Sequence, residues 1–398
     1  MTSAVIIDAI RSPMAKGRAA AGDRPGGALS EIHPVDLLGQ VLAAMFTRVD
    51  VDPALVDDVI TGCVSQVGEQ SGGVGRLGWL AAGLPDTVPS VTINRACGSS
   101  QQAVDFAAQA VMSGAADVVV AAGVESMSRI PMFTSRIGQD PFGHSASRRY
   151  APGFVSQGVS AELVAARYKI DRTALDEYSA RSHSHAAATD FSGEIVPIEV
   201  PTAGGSSVVS TDETIRPGTT ADKLSGLKPS FIDEEMASRF PEIEWSVTAG
   251  NSSQLTDGAS AVLIMSAERA KELGLRPRAR IVASAVAATD PILMLTGPIP
   301  ASEKVLRRSG IDLGHIDHYE INEAFASVPL AWQAHFDADP AKLNPAGGAI
   351  ALGHPLGASG ARLMTTMLGA LERSGGRYGL QSMCEAGGMA NATIIERL

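Results

Sequence analysis

The sequence has little cysteine, few aromatic residues and no excess of positive charge. Its 398 residues include 3 Cys, 5% aromatics and a formal net charge of −11. Cys63, Cys97 and Cys384 lie far apart, which excludes a disulfide framework and offers no paired metal-ligand spacing. The negative charge argues against nucleic acid or an anionic membrane as the main partner. We therefore expect no bound metal and no nucleic-acid or membrane partner.

Long hydrophobic runs are also missing. No segment offers 18 uninterrupted apolar residues. The first eight residues lack the basic flank and cleavage pattern of a signal peptide. With 45% hydrophobic and 19% charged residues, the chain is typical of a globular α/β protein. We expect it in the cytoplasm, where its cysteines stay reduced.

Apolar, strand-like runs alternate with helical patterns at both ends of the chain. The predicted strands are Val5–Ile10, Asp58–Ile60, Val88–Ile93, Val118–Ala122, Ala261–Met265, Ala279–Ala287, His318–Ile321 and Gly379–Cys384. The predicted helices include Pro34–Phe46, Pro53–Val56, Ala267–Leu273, Ala301–Ser309 and Ala358–Ser374. This βαβ alternation predicts a mostly parallel sheet covered by helices. Between 125 and 246 the pattern changes to loops rich in Pro and Gly, with a helix pair between Ser160 and Thr189 that turns near Asp171.

The two α/β units resemble one another. Cys97-Gly-Ser-Ser precedes a helix, then Gly114 and an apolar strand, while His354-Pro-Leu-Gly-Ala-Ser precedes a helix, then Gly375 and an apolar strand. This loose match indicates a duplicated fold whose equivalent loops meet at one site, although chance similarity between Gly-rich loops stays open. We predict one unit at 1–124, completed by about 247–276, an inserted segment at 125–246 and a second unit at 277–398.

Cys97 and His354 are the first candidates for chemistry. Cys97 follows a strand and opens a helix, where free N–H groups and the helix dipole favour a thiolate. His354 lies in a glycine-rich loop, and an imidazole there is able to accept and return the proton of a cysteine. A buried apolar cysteine and a histidine that caps a turn are the alternatives.

Cys384 and Asn322 are weaker candidates, and each lies where a predicted strand ends. Cys384 ends a strand and enters Glu385-Ala386-Gly-Gly, and Asn322 follows the strand His318–Ile321. At this strand end the sulfur of Cys384 can point into the same loop cluster as Cys97 and His354, and the amide of Asn322 can hold a water or a substrate in place. A buried structural cysteine is the alternative for Cys384. We interpret the other seven histidines, His183 among them, as surface or structural residues. No Gly-x-Gly-x-x-Gly opens a helix after a strand and no Walker pattern is present, which disfavours nucleotide chemistry.

Several motifs in a fixed order make the sequence resemble a thiolase along essentially its whole length. They are Arg11-Ser-Pro, the Cys97 loop, Gly123-Val-Glu-Ser-Met-Ser128, Thr248-Ala-Gly-Asn-Ser-Ser253, Asp257-Gly-Ala, Asn322-Glu-Ala-Phe325, the His354 loop and Cys384. The resemblance implies a five-layered αβαβα core of two duplicated βαβαβ-rich halves, with the inserted helical and loop domain covering coenzyme A.

The resemblance also implies an activity: CoA-dependent cleavage of a 3-ketoacyl-CoA, or the reverse Claisen condensation, in fatty-acid or other lipid metabolism. By the family pattern Cys97 is the nucleophile, His354 activates it and Cys384 exchanges the proton at the α-carbon of acetyl-CoA. His354 and a water on Asn322 form one oxyanion hole, and the backbone N–H groups of Cys97 and Ala386 form the other.

Coenzyme A is implied as a substrate, with no tightly bound cofactor. The family pattern places its contacts at six residues: Arg216, Lys223, Phe231, Ala249, Gly250 and Ser253. Arg216, Lys223 and Lys228 can also be interpreted as an ordinary solvated face. The resemblance further implies a homodimer or homotetramer, with 126–150 as a candidate tetramer loop.

Two departures from the family pattern concern activity and substrate. Ala386 stands where family members commonly have glycine, next to the oxyanion hole. Ser156-Gln157-Gly158 replaces the usual His-Met-Gly of short-chain enzymes, which favours a longer, branched or ring-bearing acyl group over acetoacetyl-CoA. A non-catalytic acyl-CoA or lipid-binding protein on this fold and a condensing enzyme of the ketoacyl-synthase type are the alternatives.

Overall fold

A computed structural model describes residues 2–398 as an α/β fold. The strands are β1 Ala4–Arg11, β2 Ala15–Lys16, β3 Asp58–Gly62, β4 Ser90–Ile93, β5 Val118–Ser126, β6 Ile198–Thr202, β7 Gly205–Val209, β8 Thr256–Ser266, β9 Ala279–Ala288, β10 His318–Ile321, β11 Tyr378–Glu385 and β12 Met389–Arg397. The helices are α1 Pro34–Arg48, α2 Val74–Ala81, α3 Ser99–Ser113, α4 Gly143–Arg149, α5 Gln157–Tyr168, α6 Arg172–Ala188, α7 Ala221–Ser225, α8 Glu234–Arg239, α9 Ala267–Glu272, α10 Pro298–Ser309, α11 Ser327–Phe336, α12 Ala349–Leu352 and α13 Ser359–Ser374. None of these helices is long and apolar enough to cross a membrane.

The main sheet is mixed rather than mostly parallel, so that prediction is wrong. Its strand order is β10-β11-β12-β9-β1-β8-β5-β3-β4, and β2 pairs with β8. Only the β3–β4, β3–β5 and β10–β11 pairs run parallel; the other pairs are antiparallel. The reason is that β8 returns from the inserted segment to lie between β1 and β5, and β12 returns from β11 through a tight turn instead of a helix.

Two groups of strands sandwich a pair of helices, which confirms the five-layered core. The groups meet only where Val5 and Ile6 of β1 pair with β9. Helices α3 and α13 pack on one another and on strands of both groups. The outer face of the first group carries α1 and α2, and that of the second carries α10 and α11.

The central helices can approach closely because of one glycine. A Cβ at Gly360 of α13 would fall 2.1 Å from the backbone nitrogen of Gln101 in α3. Every residue of α13 from Ser359 to Leu371 is buried, as expected for a helix enclosed on all sides. The amino ends of α3 and α13 therefore lie side by side, and each follows one of the two predicted catalytic loops.

The segment between β5 and β8 holds α4 to α8 and the separate β6–β7 hairpin. Its helix pair is the predicted one: α5 ends at Tyr168, and Asp171 caps α6 by accepting the N–H of Ala174 at 2.8 Å. Helix α5 packs on α11 and α6 packs on α12. The inserted segment is thereby attached to the second half, next to the His354 loop.

Candidate active site

Cys97 lies in a tight loop between β4 and α3. The residue before it, Ala96, takes a positive φ of 46°, a conformation that costs energy for a non-glycine residue. Two side chains hold this loop: Asn94 Oδ1 accepts the N–H of Ala96 at 2.8 Å, and Ser99 Oγ accepts the N–H of Arg95 at 2.9 Å. Cys97 is only 5% exposed, so its sulfur is fixed in a nearly closed site.

His354 lies in the loop between α12 and α13, held by its backbone and its ring. Its N–H lies 3.0 Å from Thr256 Oγ1 and 3.1 Å from the carbonyl of Gln254. Its Nδ1 lies 2.6 Å from Ser359 Oγ, and that hydroxyl donates to the carbonyl of Pro355 at 2.9 Å. A serine hydroxyl has one hydrogen, so with that hydrogen on Pro355 the ring donates from Nδ1 and leaves Nε2 unprotonated.

Asn322 connects His354 with Cys384. The amide nitrogen Nδ2 of Asn322 lies 3.4 Å from His354 Nε2, and the same side chain is near enough to the Cys384 thiol to oppose the rise of its pKa. Asn322 follows β10 and Cys384 is near the end of the neighbouring parallel strand β11, so both lie at the same edge of the sheet. Within residues 2–398 the amide oxygen of Asn322 has no hydrogen-bond partner. That oxygen is therefore free to accept from a water or a substrate.

The site holds its titratable groups in their neutral forms. Burial, followed by the nearby carboxyl of Glu385, raises the pKa of Cys97 to about 12, although the N–H of Ala386 opposes the shift. Burial and the Cys97 sulfur raise the pKa of Cys384 well above its usual value. Burial lowers the pKa of His354 to about 3. At neutral pH the arrangement is two thiols beside an uncharged imidazole base.

Ala386 is compatible with the turn that follows β11. Gly387 and Gly388 take the positive φ values of this turn, 84° and 79°, whereas Ala386 is outside the positive-φ region. Its N–H still faces the sulfur of Cys97. The departure from glycine at this position therefore leaves the backbone donor in place.

A cavity of about 290 Å³ opens on the inserted segment, and it collects four of the six predicted CoA contacts. These four are Arg216, Lys223, Ala249 and Gly250. The other lining residues are His183, Pro217, Gly218, Thr219, Leu224, Leu227, Gln254 and Ile350. Two of the four predicted residues are basic, which gives the cavity a local positive charge on an acidic chain.

Phe231 and Ser253 are not among the residues that line this cavity. The ring of Phe231 packs on Gly158, where a Cβ would fall 2.2 Å away, and meets Phe325 edge-on at 5.9 Å between centroids. Ser253 donates its N–H to the carbonyl of Ala324 at 2.9 Å. Phe231 thus bridges the start of α5 and the segment that follows Asn322.

Sequence reasoning missed several residues that the structure brings to the site. His183 is buried and lines the cavity, and its Nδ1 accepts the N–H of Arg216 at 3.2 Å. Gln254 Oε1 accepts from Arg216 Nη2 at 2.9 Å, and Ser359 orients the ring of His354. No local motif marks His183 or Gln254, whereas Ser359 was visible as the serine that opens the helix after the His354 loop.

Comparisons with known proteins give one family over the whole chain. Residues 4–268 match the model of the thiolase N-terminal domain, and residues 275–397 match that of the thiolase C-terminal domain. The steroid 3-ketoacyl-CoA thiolase FadA6 of Mycobacterium tuberculosis is 48% identical over 100% of this chain and 95% of its own. A 3-ketoacyl-CoA thiolase of Hahella chejuensis is 42% identical over 99% of this chain and 98% of its own. The crystal structure of the Bacillus anthracis acetyl-CoA acetyltransferase superposes with a TM-score of 0.87 at 39% identity, covering 100% of this chain and 99% of the other.

Proposed function

The chain belongs to the thiolase family and is an acyl-CoA:acetyl-CoA C-acyltransferase, and we propose that Cys97, Cys384, His354 and Asn322 carry out its reaction. One observation carries the proposal: the Asn322 amide lies 3.4 Å from His354 Nε2 and near enough to the Cys384 thiol to affect its pKa. Cys384 in turn lies close enough to Cys97 for the charge of one sulfur to affect the other. The buried site thereby holds a nucleophile (Cys97), a base (His354) and an acid (Cys384).

The first step is attack on the substrate by Cys97. Its sulfur adds to C3 of the 3-ketoacyl-CoA while its proton passes to the unprotonated Nε2 of His354. The C3 oxygen becomes an oxyanion, which the resulting imidazolium and a water on Asn322 stabilise. Burial keeps His354 neutral at rest, so its Nε2 carries no proton before the attack. The oxyanion formed beside the ring compensates the charge of the imidazolium.

The second step breaks the bond between C2 and C3. The C3 oxyanion collapses to an acyl thioester on Cys97, and the bonding electron pair leaves with C2 as the enolate of acetyl-CoA. Cys384 donates its proton to C2, and the N–H groups of Cys97 and Ala386 stabilise the enolate oxygen. Incoming CoA then gives its thiol proton to the Cys384 thiolate and its sulfur attacks the acyl-cysteine. The imidazolium of His354 returns a proton to Cys97 as acyl-CoA leaves.

Coenzyme A is the substrate of the last step, and we place its nucleotide part in the cavity beside Arg216 and Lys223. His183 Nδ1 accepts the backbone N–H of Arg216, and Gln254 Oε1 accepts from its guanidinium, so the side chain is oriented before the ligand binds. Lys223 Nζ donates to the carbonyl of Gly218 at 2.7 Å. Phosphate groups match two such cations better than any neutral ligand does.

For the substrate, we propose a bulky, ring-bearing 3-ketoacyl-CoA that is degraded by thiolysis. Gln157, half-buried at the start of α5, replaces the usual methionine of short-chain enzymes. A relative that is 48% identical carries the name steroid 3-ketoacyl-CoA thiolase. The enzyme would work in the cytoplasm, where Cys97 and Cys384 stay reduced.

The test is CoA-dependent thiolysis of three substrates: acetoacetyl-CoA, a long-chain 3-ketoacyl-CoA and a bulky, ring-bearing one. We expect the highest kcat/KM for the bulky substrate. Cys97→Ser should abolish turnover and retain CoA binding. Highest kcat/KM for acetoacetyl-CoA would contradict the substrate class, and unchanged turnover of Cys97→Ser would contradict the nucleophile.

We also propose that the protein is a homodimer that pairs through β4. This strand is at the end of the sheet order, and an unpaired edge is a template for another strand. Exposed apolar side chains surround it: Val91 on β4, and Leu77 and Leu80 on α2, which packs on β4. A second copy of the chain presents the same strand edge and the same apolar residues. Two copies can therefore pair about a twofold axis through this surface.

The mass in solution tests the dimer. Val91→Lys should give a monomer, while Val208→Lys, on the exposed β6–β7 hairpin, should remain a dimer. A wild-type monomer would contradict the proposal. A tetramer would point to a further interface, for which 126–150 is the candidate.

A further inference from the structure

The carboxylate of Glu125 connects the two halves of the active site. Glu125 is near the end of β5 and only 1% exposed. Its Oε2 accepts the N–H groups of Val64 and Gly357, each at 2.9 Å. Its Oε1 accepts the N–H of Ser65 at 3.0 Å and Gln70 Nε2 at 2.9 Å. Four donors with no acceptor is the pattern that suits an ionised carboxylate.

These four donors come from different parts of the chain. Val64 and Ser65 follow β3, whereas Gly357 belongs to the loop of His354 and lies 232 residues after Glu125. Gln70 strengthens the arrangement, because its Oε1 accepts the N–H of Ser126 at 2.6 Å. One side chain therefore ties the His354 loop to the carboxyl ends of β3 and β5.

Three glycines allow the His354 loop to pack against the ends of β3 and β5. A Cβ at Gly357 would fall 2.7 Å from Cys63 Cα and 2.7 Å from the carbonyl oxygen of Val124. Cβ atoms at Gly62 and Gly123 would fall 2.8 Å and 2.4 Å from the carbonyl oxygen of Gly357. The loop therefore packs so closely against the sheet that no side chain fits between them. The hydrogen bonds of Glu125 stabilise this contact.

We propose that Glu125 is a positioning residue for acyl transfer: its carboxylate holds the His354 loop on the ends of β3 and β5 and so sets the distance between His354 and Cys97. Glu125 belongs to the first half and His354 to the second, and the carboxylate is near enough to Cys97 to act on its charge. This inference rests on the proposed roles of Cys97 and His354. Burial raises the pKa of the Glu125 carboxyl, and its four hydrogen-bond donors oppose that shift.

The test is Glu125→Gln, which keeps the size of the side chain but turns an NH₂ group toward N–H donors. We expect kcat for thiolysis to fall about 10- to 100-fold, because small misplacements of catalytic groups have effects of this order. KM for CoA should stay within about 2-fold, since the CoA cavity does not involve this contact. An unchanged kcat in folded Glu125→Gln would overturn the proposal.

A matched control lies at the other ends of the same strands. Asp57, just before β3, accepts the N–H groups of Asp117 and Val118 at 2.7 and 3.0 Å, so it ties β3 to β5 as Glu125 does but far from the site. Asp57→Asn should keep kcat. If both variants lose kcat equally, Glu125 is merely structural.

A double-mutant cycle separates positioning of His354 from other effects. If Glu125 acts through His354, the single-turnover acylation rate of Glu125→Gln/His354→Ala should equal that of His354→Ala alone. Independent, multiplicative losses would overturn the inference. If Glu125→Gln does not fold, Gln70→Ala, which removes one donor, should show a smaller loss of kcat and the same non-additivity. Full turnover by Cys97→Ser would instead mark failure of the proposed function, whatever Glu125→Gln does.

Discussion

Asn322 Nδ2 lies 3.4 Å from His354 Nε2, and the two side chains are 1% and 4% exposed. Asn322 comes from the end of β10 and His354 from the loop before α13, so this contact fixes the base relative to the sheet edge that carries Cys384. The contact also leaves the amide oxygen of Asn322 free. This oxygen can accept a hydrogen bond from a water, as the proposed oxyanion hole requires.

The first prediction follows from that contact. Asn322→Ala should lower kcat for thiolysis by about 10²–10³-fold, the usual effect of losing one oxyanion-hole donor. KM for CoA should change little, because the CoA cavity is formed by other residues. Steady-state kinetics of the purified variant measure both values. A kcat within about 3-fold of wild type would contradict the role of Asn322.

Much of this site could be predicted from the sequence because its parts occur in local motifs at strand and helix ends. The strand His318–Ile321 was predicted at its observed bounds, and so Asn322 could be placed at a sheet edge. Glu125 could not be connected with Gly357, because hydrogen bonds between distant segments leave no local pattern.

The directions of the strands also could not be predicted from the local sequence. The residues Ala261–Met265 were predicted as a strand, but only the three-dimensional path shows that β8 runs antiparallel between β1 and β5. The strand β12 was missed, because the turn at Ala386–Gly388 resembles a loop of the site rather than a hairpin. Periodicity specifies which residues are buried, and it does not specify the order of the strands.

The second prediction concerns Ala386. Because Ala386 is outside the positive-φ region and its N–H faces Cys97, glycine is not required there. Ala386→Gly should keep kcat within about 2-fold and lower the free energy of unfolding by about 0.4–1 kcal/mol, through greater freedom of the unfolded chain. Kinetics and denaturant unfolding test it together. A large gain in kcat would mean that the Cβ disturbs the oxyanion hole.

The third prediction tests the CoA cavity. Arg216 lines the cavity and is held by Gln254, so Arg216→Ala should raise KM for CoA about 10-fold through loss of a charge-assisted contact. The kcat value should stay within about 2-fold, since Arg216 is not one of the reacting groups. Lys228→Ala is the control, because Lys228 is exposed on the same segment but is not among the residues that line the cavity. Equal effects of the two variants would favour a solvated basic face over a specific site.

The fourth prediction is a pH dependence of stability from Glu385. This side chain is fully buried, and within residues 2–398 neither carboxyl oxygen has a hydrogen-bond partner. Burial raises the pKa of Glu385 to about 8, compared with about 4.3 in an unfolded chain. Between these values the unfolded chain has released the proton and the folded protein keeps it. The free energy of unfolding therefore falls as pH rises through this window.

Glu385→Gln has no proton to release at this position, so its free energy of unfolding should fall less than that of the wild type as the pH rises. Each pKa unit corresponds to about 1.4 kcal/mol, so we expect the variant to gain about 1–3 kcal/mol relative to wild type between pH 4.5 and pH 8. Denaturant unfolding at the two pH values measures this gain. Glu396→Gln gives the opposite sign in a more acidic window, because hydrogen bonds from Arg377 and Arg280 outweigh burial and lower the pKa of Glu396 below its usual value; this variant should lose more stability at pH 5 than at pH 3. A Glu385→Gln variant whose stability difference from wild type is the same at both pH values would show that Glu385 is ionised in the folded protein.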